Sequence, residues 1–286
     1  QVWIEPGALA LALKSNRPVK MVMSREEVFK ASGPTCATSM DVKIGAKKDG
    51  TITAAFIECR YSDGPFPGIW GMLGGMTAWA CYDLKNCKAV GVDVLVNRPK
   101  VAAYRAPSAP MMAFGVESTI DQLAKELDID PVEFRLRNVA KEGTRSSYGP
   151  VYGPIGIEPT LEAVRDHPHM RAKLRKNQGR GMASGFWFNA TGPASATASV
   201  NPDGSVSLIE GSPDIGGTRV VMAQHLAEVL GIAVEDVRPT VGDTDSVGYT
   251  SLTGGSSVAF KTGWATYEAA LDIKRQLVGR AAKIWD

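Results

Sequence analysis

The chain has 286 residues, 44% hydrophobic and 22% charged, a balance typical of globular proteins and not of disordered ones. Lysine and arginine (32 residues) nearly balance aspartate and glutamate (30), so the formal charge of +2 gives no electrostatic reason to expect binding to nucleic acid or to a membrane surface. No apolar run approaches the roughly 20 residues that a membrane-spanning helix needs. At roughly 150 residues per domain, the length predicts two domains. Glycine, with 30 residues, exceeds its usual share of about 7% and needs an explanation.

The first half of the chain predicts helices and strands that lead into a strong amphipathic helix. Asp49 and Gly50 mark the clearest β-hairpin, because glycine accepts the positive φ of a tight turn. In the amphipathic helix, Val116, Ile120 and Ala124 fall on one stripe together with Leu123 and Leu127. The predicted elements are a helix at residues 5–14, a strand at 19–24, a short helix capped by Ser24, hairpin strands at 41–46 and 51–61, an irregular loop at 62–75, a strand at 90–96, and helices at 111–127 and 131–139.

A change of composition separates the two halves. From residue 141 the chain becomes rich in glycine, serine, tyrosine and proline with little periodicity, apart from a short helix near Leu161, which indicates a linker. We predict a first domain at residues 1–145, a linker at 146–178 and a second domain at 179–286. The second domain predicts a hairpin at 194–200 and 205–210, a helix at 219–230 with Val220 on its apolar face, a strand at 234–242 and a helix from 256 onward.

Helical patterns run close to both termini of the chain. Residues 5–14 are helical almost from the start, and residues 269–285 still show a helical pattern where the sequence stops, without a C-terminal cap. We therefore expect the sequence to be a piece of a longer polypeptide.

Two glycine-rich loops of the second half each follow a predicted strand and open a predicted helix. They are GSPDIGGT at residues 211–218 and TSLTGGSS at residues 250–257. A helix start offers unpaired N–H groups and the positive end of the helix dipole, and glycine allows an anion to approach the backbone. The loops therefore predict two anion sites suited to phosphate or pyrophosphate. Each loop by itself could equally be a plain strand-to-helix turn.

The commonest nucleotide-binding motifs do not match these loops. The first loop has the spacing of a phosphate-binding P-loop, but Gly217 stands where that motif requires lysine. No G-x-G-x-x-G sequence follows a strand. An ordinary nucleotide-binding domain is therefore a weak alternative. Gln224, in the helix that follows, is a candidate polar contact for a ligand at the first loop.

A third loop, AYRAPSAP, places Arg105 between a predicted strand and the amphipathic helix. Pro107 and Pro110 stiffen this loop and restrict the direction of the arginine. A guanidinium group there could bind an anion or an oxo group through two hydrogen bonds, or it could form a surface ion pair.

Nothing in the sequence predicts a protein-bound metal ion or a set of nucleophile, base and acid. The four cysteines include no C-x-x-C pair, so a zinc or redox motif is unsupported. Cys81 and Cys87 are close enough in sequence for a disulfide, although nothing requires one. In the absence of a secretory signal we expect a cytoplasmic protein.

Five segments, taken together, resemble the xanthine dehydrogenase/aldehyde oxidase family. Specifically, the chain resembles the large, molybdopterin-binding subunit of its bacterial members, including the carbon monoxide dehydrogenase type. The resemblance spans essentially all residues, and the arginine loop with its following helices is the most specific part. The segments are RPVKMVMSREEVF, VKIGAKKDGTITA, AYRAPSAPMMAFGVESTIDQLAKELDIDPVEFRLRN, GSPDIGGTRVVMAQHLAEVLGI and TSLTGGSSVAFKTG.

This resemblance implies an α+β fold of two mixed α/β molybdopterin-binding domains. It implies a molybdopterin cofactor carrying molybdenum, in its cytosine dinucleotide form, whose pyrophosphate agrees with the two predicted anion sites. Members of the family hydroxylate aldehydes or N-heterocycles with oxygen from water. They pass electrons to iron–sulfur clusters and then to FAD on other subunits or domains. A homo-oligomeric holoenzyme is also expected, with no nucleic-acid partner.

The resemblance also assigns residues. Arg105 falls on the active-site arginine of the family, and Ala106 and Ser108 lie in the same active-site loop. The resemblance places Gly216, Gly217, Thr218, Gly254, Gly255 and Ser256 on cofactor-contacting loops. The full set of predicted cofactor-binding residues adds Ala106, Gln224, Thr253 and Ser257.

Several departures from the family pattern narrow the expected chemistry. Gly217 replaces the glutamine of the family's G-Q-G loop, which removes one expected cofactor hydrogen bond. The arginine that some purine-oxidising members carry near Leu73 is missing, which disfavours a purine substrate. Ala106 stands where the carbon monoxide enzymes carry the cysteine of their copper site, which disfavours carbon monoxide oxidation.

Two family segments have no counterpart in these residues. A G-G-F-G-G segment would lie before Gln1, and the catalytic glutamate that acts as base would lie beyond Asp286. We therefore expect the 286 residues alone to be inactive as an enzyme. The alternative is a non-catalytic binding or interaction module that keeps the fold without the cofactor, and Gly217 is its best support.

Overall fold

The computed structural model describes residues 4–285. The chain divides into two compact units at Trp187 and Phe188. Both units combine helices with a mixed β-sheet, so the predicted α+β class is confirmed. Among residues 4–285, no helix is both long and apolar enough to cross a bilayer.

The first unit contains one three-stranded sheet and seven helices within the described residues. Strand β2 is central; it pairs antiparallel with β1 and parallel with β3. The elements are α1 (Glu5–Ser15), α2 (Arg25–Ala31), β1 (Thr38–Ala46), β2 (Ile52–Gly64), α3 (Trp70–Thr77), β3 (Cys87–Leu95), α4 (Ala109–Glu126), α5 (Pro131–Asn138), α6 (Ile157–Asp166) and α7 (Pro168–Arg171).

The core of the first unit lies between the sheet and α4. Alternate residues of β2, including Ile57, Cys59 and Tyr61, are fully buried. They meet the predicted stripe of α4, where Val116, Ile120 and Ala124 are at most 1% exposed while Leu123 and Leu127 are half-buried. The periods of two in the strand and of about 3.6 in the helix thus identify the core from the sequence.

The second unit has a smaller sheet of the same order. Its central strand β5 pairs antiparallel with β4 and parallel with β6. Buried residues of β5 and α8, such as Leu208 and Leu226, form its core with Ala270 of α9. The elements are β4 (Ala196–Val200), β5 (Val206–Glu210), α8 (Thr218–Leu230), β6 (Val237–Val241) and α9 (Val258–Trp285).

The two units repeat one arrangement of elements. Each has a hairpin, a helix, a third strand parallel to the second, and a long helix that packs against the first strand. Both hairpins turn at an Asp-Gly pair, and Gly50 and Gly204 both have positive φ, of +87° and +84°. Two parallel neighbouring strands must be joined by a crossover connection. The loops that leave these two strands therefore lie at the same edge of the sheet, at the carboxyl ends of the strands. Ligands of α/β proteins commonly bind at such strand ends.

The predicted strand at residues 19–24 is wrong, because this segment has no regular secondary structure. A strand exists only through hydrogen bonds to a neighbour, and residues 19–24 pair with no strand in the described part of the chain. Met21 and Val22 are exposed accordingly. The helix predicted after it is confirmed: Ser24 accepts from the Glu27 N–H, and the Glu27 carboxylate accepts in return, a capping box.

The loop predicted at residues 62–75 is partly wrong, since β2 continues to Gly64 and α3 begins at Trp70. Gly71 of this helix allows it to approach β3 closely. A Cβ on Gly71 would lie 2.7 Å from the carbonyl carbon of Gly91, so no side chain fits there. Close packing thus explains part of the glycine excess.

Smaller corrections concern the second unit and the thiols. The strand predicted at residues 234–242 begins as a 3-10 turn, Val234–Asp236, before β6. Val220 is 53% exposed and does not belong to the apolar face of α8; Met222 is buried in its place. The four cysteines, including Cys81 and Cys87, are free thiols.

Candidate functional site

The residues singled out from the sequence lie in three loops, each running from the end of a strand to the start of a helix. Arg105 and Ala106 lie between β3 and α4 in the first unit. Gly216 and Gly217 lie between β5 and α8 in the second unit. The second glycine loop lies between β6 and α9, within residues 242–257. It contains Thr253, Gly254, Gly255, Ser256 and Ser257.

The arginine loop is conformationally strained. Ala106 and Ser108 both have positive φ, of +48° and +72°, which costs free energy for residues with a Cβ. Ser108 is fully buried, and its hydroxyl has no hydrogen-bond partner among the described residues. Arg105 is exposed and forms no ion pair in the described chain, so its guanidinium is free to bind a ligand. Strain of this kind is typical of functional loops.

The first glycine loop enters α8 through two left-handed residues. Gly216 and Gly217 have φ of +62° and +92°, and a Cβ on either would meet nothing within 4 Å. However, the carboxylate of Asp214 already accepts a hydrogen bond from the Arg219 N–H at the start of α8. Thr218 is also engaged, since its hydroxyl oxygen accepts from the Ile215 N–H. The protein itself therefore supplies an anion at this helix start.

Gln224 lies in α8 rather than in the loop before it. Its side chain is exposed and makes no hydrogen bond to the first glycine loop. Its predicted contact with a ligand stays a prediction.

The second glycine loop has a comparable backbone and a different electrostatic setting. Gly255 and Ser256 have φ of +66° and +58°. The Ser257 hydroxyl donates to the Gly254 carbonyl over 2.8 Å, and the Ala190 N–H donates to the Gly255 carbonyl over the same distance. The backbone N–H groups of residues 252–257 donate to no acceptor in the described chain. A run of N–H groups without protein acceptors is suited to an anion.

Within the second unit, the two glycine loops are joined at their bases. Ser195 accepts from the Gly211 N–H through its carbonyl, and its own N–H donates to the Thr250 hydroxyl. The hydroxyls of Ser212 and Thr262 lie 2.7 Å apart, which ties the first loop to α9. The structure thus brings the bases of the two loops together, whereas no hydrogen bond links residues 216–218 to residues 253–257.

Two buried carboxyl groups occupy equivalent places in the repeat and were not singled out from the sequence. Asp63 near the end of β2 and Glu210 at the end of β5 are both 0% exposed. Each accepts an N–H from the loop that follows, from Gly68 and Ser212, and each has a second oxygen without a partner in the described chain. The available signal was the alternation of buried positions, Ile57–Cys59–Tyr61–Asp63 and Val206–Leu208–Glu210, which places both acids on the core face.

The buried carboxyl of Glu210 predicts a pH-dependent stability of the second unit. Desolvation is the main cause that raises the pKa of Glu210 above its ordinary value of 4.5. A raised folded-state pKa stabilises the fold below the unfolded-state pKa, and this contribution is lost as the pH rises through the folded-state pKa. We therefore expect Glu210→Gln to raise the thermal unfolding midpoint at about pH 8 and to leave it unchanged at about pH 4.

Asp243 provides the matched control with the opposite sign. Its pKa is lowered from 3.8 by hydrogen bonds from the Ser246 side chain and from the backbone N–H groups of Asp245 and Ser246. Its contribution is present above 3.8 and is lost as the pH falls through the folded-state pKa, so Asp243→Asn should lower the midpoint at about pH 8. Equal pH profiles for Glu210→Gln and the parent chain would contradict the expectation for Glu210.

A glycine substitution tests the backbone of the second loop. In Gly255→Ala the new Cβ would lie 2.7 Å from the Ala190 Cβ at a φ of +66°. We expect a loss of about 1 to 2 kcal/mol in the free energy of unfolding, measured with urea. Gly279→Ala is the control, because Gly279 lies in α9 with open space around it. That variant should gain about 0.5 to 1 kcal/mol. An equal gain in the free energy of unfolding for Gly255→Ala would contradict the left-handed backbone conformation of Gly255.

Comparison with known proteins identifies the family of both halves of the chain. Residues 1–139 match one model of a molybdopterin cofactor-binding domain, and residues 160–286 match a second model of the same description. A putative xanthine dehydrogenase molybdenum-binding subunit of Escherichia coli is 31% identical over 97% of this chain and 40% of its own length. Aldehyde oxidoreductase of Megalodesulfovibrio gigas is 27% identical over 88% of this chain and 30% of its own length.

Solved structures share the fold. The aldehyde oxidoreductase of Desulfovibrio desulfuricans superposes with a TM-score of 0.79 at 25% identity, covering 94% of this chain and 32% of that one. The Desulfovibrio gigas enzyme superposes with a TM-score of 0.77 at 24% identity, over the same shares.

The two matched models, which follow one another along the chain, define a pair of molybdopterin cofactor-binding domains. The chain belongs to the molybdopterin-binding large subunits of the xanthine dehydrogenase/aldehyde oxidase family. It spans about 40% of the length of the Escherichia coli relative that it matches.

Proposed function

We propose that the protein containing this chain is a molybdenum hydroxylase, and that this chain forms part of its cofactor- and substrate-binding region. The supporting observation is that the loops entering α4, α8 and α9 each contain two positive-φ residues, and that the backbone N–H groups of residues 252–257, in the last of these loops, lack acceptors in the described chain. Such loops, in a protein of this family, suit a ligand rich in phosphate and carbonyl oxygens.

The residues present fit the proposed cofactor in three respects. Cβ atoms are missing at Gly216 and Gly217, where the space is open. The buried Ser108 hydroxyl lacks a partner within the described residues. Beneath the second glycine loop lies the buried cation Lys261. An anionic ligand suits an open glycine loop at a helix start, and an anion near the second glycine loop would offset the uncompensated charge of Lys261.

The reaction converts a substrate C–H bond into C–OH with oxygen from water, and two electrons and two protons leave. Bound molybdenum would supply the two-electron redox chemistry. The chain's own residues would bind and orient: Arg105 would hold a substrate or developing negative charge through two N–H groups. The loops at residues 216–218 and 253–257 would hold the cofactor through N–H groups, with the hydroxyls of Thr253, Ser256 and Ser257 nearby.

The finer assignments also belong to this proposal. The cofactor is proposed in its cytosine dinucleotide form. The substrate is an aldehyde or N-heterocycle, since Ala106 lacks the thiol for a copper site. Partners are iron–sulfur and FAD subunits or domains in a cytoplasmic, homo-oligomeric holoenzyme. The names of the curated relatives, a xanthine dehydrogenase subunit and an aldehyde oxidoreductase, support this class of reaction.

Metal and pterin analysis of the purified full-length protein tests the proposal. We expect molybdenum and oxidised pterin near one per chain, release of a cytidine nucleotide on mild hydrolysis, and transfer of ¹⁸O from labelled water into a carboxylic acid product. A protein made in a molybdate-supplied host that contains neither molybdenum nor pterin would instead favour the non-catalytic binding module.

A further inference from the structure

Lys261 is a buried cation in the first turn of α9, directly behind the second glycine loop. It is 3% exposed. Its Nζ donates to the Ser251 carbonyl, the Ser251 hydroxyl and the Leu252 carbonyl over 2.7, 2.9 and 2.8 Å. Three acceptors match the three N–H groups of an ammonium. The side chain of Lys261 therefore fixes Ser251 and Leu252, near the start of the second glycine loop.

The charge of Lys261 has no counter-ion in the described chain. No carboxylate among residues 4–285 lies within 4.0 Å of its Nζ. Desolvation lowers the pKa of Lys261, because burial penalises the charged form. Burying a charge beside neutral oxygens alone costs free energy, and a nearby anion would offset that cost.

The first glycine loop lacks this arrangement. Asp214 places a carboxylate at the start of α8 and pairs with Arg219. At the second loop, by contrast, the N–H groups of residues 252–257 are without protein acceptors and the buried charge behind them is positive. The start of α8 thus already has a protein carboxylate, paired with Arg219, whereas the cation behind the second loop has no counter-ion in the described chain, which favours an external anion at the second loop.

We propose that Lys261 is a positioning residue for the phosphate groups of the cofactor. It holds residues 251–252 in place through its hydrogen bonds, so that the second glycine loop binds these phosphate groups. The ammonium does not need to touch the ligand. Its three hydrogen bonds hold the loop from behind, and its uncompensated charge acts through the loop backbone. This inference rests on the proposed function, because it takes a phosphate-bearing cofactor as the ligand.

Binding of inorganic pyrophosphate to the cofactor-free full-length protein tests the inference by calorimetry. We expect Lys261→Met to weaken pyrophosphate binding by about tenfold or more, and Lys261→Arg, which keeps the charge, by about threefold. Lys274→Met is the matched control: Lys274 lies on the same helix, is exposed, and donates only to the Val229 carbonyl. It should bind within about twofold of the parent. A folded Lys261→Met protein that binds pyrophosphate as the parent does would overturn the proposal.

Hydrogen exchange of the unmutated protein tests the same point even if Lys261→Met does not fold. Pyrophosphate should slow amide exchange in residues 252–257 and leave residues 214–219 unchanged. Protection confined to residues 214–219, or absent from both loops, would refute the assignment to the second loop. Molybdenum and pterin content distinguishes a failure of the proposed function from a failure of the Lys261 proposal. If the protein contains the cofactor but its Lys261 variants bind pyrophosphate normally, only the Lys261 proposal is wrong.

Discussion

Replacing Glu117 by glutamine is expected to lower the free energy of unfolding of the first unit by about 3 kcal/mol. The Glu117 carboxylate is 4% exposed and accepts from the Tyr82 hydroxyl, the Arg135 Nε and the Ser184 N–H. Arg135 is fully buried, so the loss of the charge on Glu117 leaves its guanidinium with Asp121 as its remaining ion pair. Breaking one side of a buried ion pair is among the costliest single changes.

Urea unfolding followed by tryptophan fluorescence measures this effect, because Trp70 and Trp79 are buried in the first unit. The control is Glu26→Gln, which removes an exposed ion pair with Lys30 on α2. That variant should change stability by less than about 0.5 kcal/mol. A change below about 1 kcal/mol for Glu117→Gln would mean that the network contributes little net stability.

Replacing Arg105 by alanine is expected to lower kcat/KM of the full-length, cofactor-loaded enzyme by about 100- to 1,000-fold. The side chain is exposed at a strained loop and forms no ion pair within the described residues, so its removal should cost catalysis rather than folding. Arg105→Lys should recover only part of the rate, since an ammonium cannot make the two parallel hydrogen bonds of a guanidinium.

Arg98→Ala is the control for charge in the same loop, because Arg98 is likewise exposed and forms no ion pair in the described chain. It should keep kcat/KM within about twofold of the parent. Molybdenum content is measured for each variant, so that a lost cofactor is not mistaken for a lost catalytic group. An Arg105→Ala enzyme with full molybdenum content and a nearly normal rate would exclude the proposed role of Arg105.

Periodic patterns predicted much of the fold because they report a physical requirement along a single element. The stripe of α4 and the Asp49-Gly50 hairpin are confirmed, as is the capped helix at Ser24. Residues 19–24 have a strand-like pattern without a partner strand, and pattern alone contains no information about partners. The sequence did not predict helix α3 because its glycines oppose helix formation locally, yet one of them, Gly71, permits the close contact with Gly91.

The candidate site divides in the same way. Glycine-rich loops before helices could be read from the sequence, and so could Arg105. The buried polar groups near these loops could not be predicted from the sequence. The burial of Lys261, Glu210 and Ser108, and the lack of a partner for the Ser108 hydroxyl within the described residues, depend on neighbours distant in sequence. The two glycine loops also look alike as sequences, whereas the structure places an ion-paired carboxylate, Asp214, at the first loop and a buried cation without a counter-ion in the described chain, Lys261, behind the second.

The sequence by itself determined the α+β class, the family and the three loops that we propose to hold a cofactor, since residue spacing and glycine placement are local properties of the chain. Only the tertiary structure decided which polar groups are buried, which lack partners and which loop has a cation behind it. The physical reason is that desolvation and charge pairing depend on all atoms around a group, and α9 brings Lys261 beneath residues 251–252 only when the second unit is folded.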